Sequence, residues 1–343
     1  MPGAPSSIER KILVAAQAGI PISDRPFESL GRACGVSEAD AIRRLSAAIR
    51  LGIVRQVSGI FDARSLGYAT ALVAVRLSPP RLASAARLVA RQACVGHCYA
   101  RRHSWNLWFT LAVPPGRTLS HAAAGIARRA GLSEWRLLPA MEIYKIGVRL
   151  DPGRRAPDLA EDEPASPRLA PPRRRLSAAD RRIVRILQGD FPLVKRPFDA
   201  LAAAAGTSAR NLLIRARLLA AEGRLRRIAA VLAHRRAGFR ANGMIVWPVR
   251  GAARANAIGR AVARFRAVTH AYRRPGLDEG LAVYAMVHGR TEAGVRRAAA
   301  RISKAAHAPA FEILFSGREF KKERVRLFAK NGSRNRSHPA DSR

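Results

Sequence analysis

The chain of 343 residues has only three cysteines, Cys34, Cys94 and Cys98. An odd number argues against a disulfide framework and fits a reducing compartment, so a cytoplasmic location is expected. Cys94 and Cys98 lie four apart, but no second pair exists to complete a zinc site. They read as two small, half-buried thiols. No run of about 18 uncharged apolar residues occurs, so no membrane span is expected. Glu9, Arg10 and Lys11 interrupt the N-terminus, which does not read as a secretory signal. No G-x-G-x-x-G follows a strand pattern and no Walker loop is present, so no organic cofactor is expected. Acidic residues are scarce: 24 Asp and Glu stand against 62 Lys and Arg, a formal net charge of +38. That excess points to anionic partners, whether nucleic acid, acidic lipid or a polycarboxylate, without choosing among them. Arg greatly outnumbers Lys, and Arg matches carboxylate and phosphate oxygens in bidentate fashion. High Ala and Arg together also follow from codon bias.

What is present is a globular composition, 48% hydrophobic, with length for about two ordinary domains. Residues 1–62 read as helix, helix, helix and wing. Ile12, Leu13 and Ala16 recur at helical spacing, Ser37 is an N-cap with Asp40 facing back toward it, and Gly52 closes the helix after it. This is a winged helix-turn-helix pattern. Residues 63–150 change period: strand from Ala69, helix from Ala83, strands Val95–Tyr99 and Leu107–Val113, helix Leu119–Ala130, and one closing strand from Trp135 to Tyr144. The order β-α-β-β-α-β is that of a ferredoxin-like sandwich. Residues 151–175 hold six prolines and no apolar periodicity, which predicts a mobile linker.

The plan then restarts. Arg25-Pro26-Phe27 returns as Arg196-Pro197-Phe198, and Gly35, Gly52, Arg55 and Gly67 return at the same shift of 171 as Gly206, Gly223, Arg226 and Gly238. A tandem duplication of about 150 residues is the reading. It gives a second winged helix-turn-helix at 176–235 and a second sandwich at 236–329. The tail at 330–343 is expected to be disordered. The fold class is therefore α+β, a tandem repeat of winged helix-turn-helix plus βαββαβ domain.

One stretch occurs in both halves. Val95-Gly96-His97-Cys98-Tyr99 is followed by Arg101, Arg102 and His103, then by Trp105-Asn106-Leu107-Trp108. Val268-Thr269-His270-Ala271-Tyr272 is followed by Arg273 and Arg274, then by a run from Val283 through Tyr284 to His288. Imidazoles, phenols and guanidiniums beside a core strand suit a flat, anionic, metal-bearing ligand. The halves also differ: Gly276 stands opposite His103, and Ala112 opposite His288. His121, His234, His307 and His338 belong to no paired motif. Trp105 and Trp108 are expected to pack more than to stack on a ligand.

A winged helix-turn-helix followed by β-α-β-β-α-β resembles the Lrp/AsnC regulators. R-P-F, V-x-H-x-Y-x-R, N-L-W-F-T, V-T-H-x-Y-R-R-P, M-V-H-G-R and L-F-S-x-R-E-F-K-K resemble one branch of them, the siroheme decarboxylases, over nearly the whole chain outside linker and tail. The halves look like a D-type and an L-type subunit joined. The resemblance implies removal of two acetate carboxyls of siroheme, at C12 and C18, giving 12,18-didecarboxysiroheme in heme d1 biosynthesis. On that reading His97, His270, Tyr99 and Tyr272 are the candidate catalytic residues, supplying a proton to the ring. Arg101, His103, Arg273, Arg274, His288, Trp108 and Tyr284 are the candidate substrate contacts. No metal of the protein's own is expected: iron arrives with siroheme, and His97 or His270 is its candidate axial ligand. Implied partners are siroheme, a second copy or a closed pseudo-dimer, and neighbouring heme d1 proteins.

The competing reading is a DNA-binding regulator. Its first recognition helix would open Ser37-Glu38-Ala39-Asp40, acidic where phosphates approach, so DNA binding is not expected. A third reading is a tetrapyrrole carrier without turnover.

Overall fold

A computed structural model describes residues 5–147, 150–154, 156–162 and 174–329. The expected tail at 330–343 and, of the expected linker, residues 155 and 163–173 lie outside them. The first half runs α1 (Ser7–Ala18), α2 (Pro26–Cys34), α3 (Glu38–Arg50), β1 (Val54–Phe61), β2 (Ala69–Arg76), α4 (Pro79–Ala90), β3 (Val95–Arg101), β4 (Leu107–Val113), α5 (Leu119–Ala130), β5 (Glu134–Pro139) and β6 (Glu142–Ile146). The second runs α6 (Ala178–Leu187), α7 (Pro197–Ala205), α8 (Ala209–Ala221), β7 (Leu225–Leu232), β8 (Ala241–Val249), α9 (Ala252–Arg264), β9 (Val268–Pro275), β10 (Leu281–Gly289), α10 (Glu292–Ala305) and β11 (Glu312–Lys322). No helix among the described residues is long and apolar enough to cross a membrane.

The elements form two compact units, and each gathers matching pieces of both repeats. One unit joins the two helical modules. Its helices start and stop where local chemistry says they should. Pro26 and Pro197 sit at first helical positions, where a missing N–H costs nothing. Both helices end on glycines in the left-handed region, Gly35 and Gly206. Ser177 and Asp180 close a reciprocal capping box on α6. On α3 only half of that arrangement forms: Ser37 caps, but the Asp40 carboxylate turns to Arg43 and Arg44 instead. The wings β1 and β7 pair antiparallel. Arg226 donates to Asp62 Oδ2 at 2.5 Å beside that ladder. The two R-P-F phenylalanines, Phe27 and Phe198, both pack edge-on against Phe191, at 6.2 and 5.4 Å. The motif therefore serves to hold the two modules together.

The described parts of 151–175 and its flanks make specific contacts. Leu150 is buried, and its N–H and C=O both bond to the Gln17 side chain. Asp151 pairs with Arg10, and Arg174 with Asp180 and Glu222. Residues 160–162 run beside Arg264–Arg266, through Arg266 N–H to Ala160 C=O and Asp162 N–H to Arg264 C=O.

The other unit holds both sandwiches in one sheet of nine strands, β5-β2-β4-β3-β11-β8-β10-β9-β6. Each half contributes the expected βαββαβ order. The closing strand departs from expectation. It breaks at Ala140 and Met141, and β6 leaves its own half to pair with β9. β11 makes the same exchange unbroken: Glu312–Phe315 pair with β8, and Ser316–Lys322 with β3. Since β5 and β6 stand at opposite ends of the order yet are consecutive in the chain, the sheet curls back on itself. Alternation along each strand sorts side chains to two faces. One face of each half packs on its own helices, with Cys98, Phe109 and Leu111 in the first half and Ala271, Val283 and Ala285 in the second. The inner faces meet in a third core of Ala74, Trp105, Trp108, Leu138, Met244, Val246, Ala282, Tyr284 and Leu314.

Candidate active site

Cys98 and Ala271 face the helices, so the residues on either side of each face inward. These are His97 with Tyr99 on β3, and His270 with Tyr272 on β9. The two pairs have matching geometry: rings 6.3 Å apart and inclined 15° in the first, 6.2 Å and 17° in the second. All four side chains are half-buried. β3 and β9 are not sheet neighbours, since β11, β8 and β10 stand between them.

A pseudo-twofold relation links the surroundings. Arg101 Nη1 donates to Leu314 C=O at 2.5 Å, and Arg274 Nη1 to Leu138 C=O at 2.5 Å. Lys321 Nζ donates to Gln92 C=O, and Lys145 Nζ to Phe265 C=O, at 3.0 and 2.8 Å. Glu323 N–H meets Gly96 C=O, and Gly147 N–H meets Thr269 C=O, each at 2.8 Å. Gly96 permits this approach: a Cβ there would lie 3.0 Å from Glu323 O.

His270 shares the Thr269 hydroxyl with a backbone carbonyl. Thr269 donates its hydroxyl proton to Met286 C=O at 3.2 Å. The same oxygen lies 3.1 Å from His270 Nδ1, and so accepts from Nδ1–H. With Nδ1–H donating to that oxygen, a neutral His270 would carry its lone pair on Nε2, the form that serves as base or metal ligand. His97 has a threonine partner of different origin: Thr110 Oγ1 on β4 accepts from His97 N–H at 2.9 Å and lies 3.4 Å from Nδ1.

The remaining predicted residues divide. His288 belongs with His270: it stands two positions beyond Met286, which pairs with His270, on the same inward face. Asn242 on β8 lies directly across from it. His103 lies beyond the other end of β3 from His97. Its Nδ1 accepts from Trp105 N–H at 3.0 Å, so Nε2 carries the proton that reaches Glu312, 3.1 Å away. Arg273 points away from its neighbour Tyr272 and binds Asn256 Oδ1 on α9 at 2.9 Å. Arg101 and Arg274, expected to grip carboxylates, are 8% and 9% exposed and tie the two halves together through the carbonyls above. Burial pushes the Arg101 guanidinium down to about 10. Trp108 and Tyr284 are core residues, 1% and 2% exposed. Trp108 donates to Trp105 C=O at 2.6 Å, and Tyr284 to Pro275 C=O at 3.0 Å. Burial raises the Tyr284 phenol well above its usual range. Sequence reading assigned no role to Thr110, Thr269, Asn242, Glu319 or Lys322. The last two lie in the R-E-F-K-K motif, whose placement depends on β11 crossing to β3. Among the described residues no three His, Cys, Asp or Glu side chains group as a metal site.

Two winged modules, two βαββαβ sandwiches with exchanged last strands, and a duplicated inward His–Tyr pair define a fused, Lrp/AsnC-type ligand-binding architecture. The AsnC-like ligand binding domain matches residues 65–145 and 236–321, and the siroheme decarboxylase NirDL-like HTH domain matches 9–55 and 180–226. The chain is 37% identical to a siroheme decarboxylase of Hydrogenobacter thermophilus over 326 residues, 94% of this chain and 96% of that one. It is 32% identical to a siroheme decarboxylase NirDL subunit of Paracoccus denitrificans, over 92% and 95% of the two chains. A crystal structure of the siroheme decarboxylase NirDL superposes with a TM-score of 0.71 at 32% identity, covering 94% of this chain and 95% of the other. A second, in co-complex with an iron-uroporphyrin III analogue, gives 0.70. The protein belongs to the siroheme decarboxylase family.

Proposed function

We propose that the protein removes two acetate carboxyls from siroheme, those at C12 and C18, in heme d1 biosynthesis. The duplicated His–Tyr pair on the inner face carries this reading. Each step exchanges one carboxylate for one proton: the arm's CH2–COO⁻ becomes CH3, and carbon dioxide leaves. Protonating the macrocycle first supplies the electron sink that carbon dioxide loss needs. His97, Tyr99, Tyr272 and His288 are the candidate donors. His270, whose Nδ1 is held by Thr269 Oγ1, is the candidate axial ligand to the substrate's iron. The relative solved with an iron-uroporphyrin III analogue supports an anionic, iron-bearing macrocycle as ligand. Relatives named as subunits support association, either with a second copy or with neighbouring heme d1 proteins.

The regulator reading is weaker. Glu38 and Asp40 open α3, Arg43 and Arg44 are both bound to Asp40, and Arg25 is bound to Glu38. On α8, Arg215 pairs with Asp180 and Arg217 donates to Ile22 C=O. These cations are already partnered within the protein. Anaerobic titration with siroheme followed by product analysis separates the readings. The enzyme gives a Soret change and carbon dioxide, a carrier gives only the first, and a regulator gives neither.

A further inference from the structure

The pseudo-twofold relation is closely kept outside the His–Tyr pairs and broken beside them. Lys321 matches Lys145, and Phe320 matches Tyr144, each pair facing the helices of its sandwich. The inward positions of the same exchanged strands do not match. Ile146 lies directly across from His270, and Ile143 from Tyr272. In the first half the equivalent places are taken by Lys322, across from His97, and Glu319, across from Tyr99. Directly opposed residues in an antiparallel ladder share a face, so an ion pair stands beside the first pair where isoleucines stand beside the second. The lysine and glutamate are 4.0 Å apart, with side chains 21% and 32% exposed. At that separation and exposure their attraction is weak.

Resting on the siroheme reading above, we propose that Lys322 is the carboxylate-binding residue of the His97–Tyr99 cluster, with Glu319 as the resting partner that a substrate carboxylate displaces. The two clusters are therefore unequal. The first holds an anionic arm of the tetrapyrrole. The second, flanked by Ile143, Ile146 and Met286, presents imidazoles in less polar surroundings. The R-E-F-K-K motif belongs to the substrate site through two of its residues, and to the seam with α4 through Lys321.

The test is Soret titration with iron-uroporphyrin III, together with KM and kcat for siroheme. Lys322→Ile installs the residue that the symmetry-related strand already carries, so the strand should fold. It is expected to weaken binding and raise KM about five- to tenfold, the effect of losing a charge-assisted contact at a partly exposed site. Lys322→Arg restores binding. Glu319→Gln tightens it about two- to fivefold, the opposite direction to a structural defect. Lys321→Gln removes the same charge from the other face and leaves affinity unchanged. Wild-type turnover with Lys322→Ile binding as tightly as wild type overturns the proposal and leaves the activity reading intact. A loss shared equally by Lys321→Gln also overturns it, because bulk charge then explains the effect. Wild-type protein that shows neither a Soret change nor carbon dioxide release sinks the siroheme reading, and this proposal with it.

Discussion

Replacing Arg101 with methionine tests how the inner face is held together. The guanidinium is 8% exposed, and its hydrogen bonds run from Nη1 to Leu314 C=O at 2.5 Å and Ser316 Oγ at 3.2 Å. Its Nε has no hydrogen-bond partner among the described residues. Burial lowers its pKa from 12.5 to about 10. That shift corresponds to about 3 kcal/mol against the charged form. Hydrogen bonds from a charged donor return about 1.5–3 kcal/mol. The two nearly cancel, so Arg101→Met, which keeps most of the volume, should lie within about 1 kcal/mol of wild type in urea unfolding. Arg101→Ala should cost about 2–4 kcal/mol, because a cavity remains. The sign with pH follows from a folded-state pKa below the unfolded one. The burial penalty is complete below pH 10 and shrinks as the folded guanidinium loses its proton. Wild type should therefore gain on Arg101→Met between about pH 10 and 12.5. A methionine variant destabilised by more than about 3 kcal/mol at neutral pH would refute this, since the guanidinium would then be a net stabiliser.

Other expectations follow from the same geometry. Asp180 is fully buried; burial alone would raise its pKa, but bonds from Arg174 and Ser177 outweigh that and hold it at about 2. Asp180→Asn should cost about 2–3 kcal/mol at neutral pH by denaturant melts. The difference should persist above about pH 4 and close as pH falls toward 2, where the wild-type carboxylate protonates. A Cβ on Gly259 would lie 2.0 Å from Tyr144 Cε2, so Gly259→Ala should cost about 1–3 kcal/mol. Combined with Tyr144→Ala it should cost at least about 1 kcal/mol less than the sum of the singles, measured as a double-mutant cycle. Removing His288 should lower kcat for siroheme about a hundredfold or more if it is a proton donor. Arg273→Met, on the helix side, should leave kcat within about twofold, because interactions that do not reach the reacting centre do not change it.

The duplication and the βαββαβ order were legible because repeated residues and a change of hydrophobic period are local signals. The exchange of last strands was not. Pro139 does stand at the break between β5 and β6, but the pairing of β6 with β9 joins residues far apart in sequence. The same distance hid Glu319 and Lys322, whose neighbours His97 and Tyr99 lie more than two hundred positions earlier. Alternation alone sets Arg273 on the face away from Tyr272, so its separation from the site was readable in advance. Arg101 and Arg274 do share a face with the tyrosines. Their depth, which turns them toward carbonyls of the other half, depends on how the sheets close. Trp108, one of the candidate substrate contacts, sits in the core between the halves.

The central claim is that the inward His–Tyr pairs decarboxylate siroheme. The most direct measurement is anaerobic incubation of siroheme with wild-type protein and with His97→Ala and His270→Ala separately, following product mass and carbon dioxide. Wild type should deliver product lighter by two molecules of carbon dioxide, and each variant should be slowed or stop short of that product. Full turnover by both variants, or no carbon dioxide from the wild type, would contradict the account.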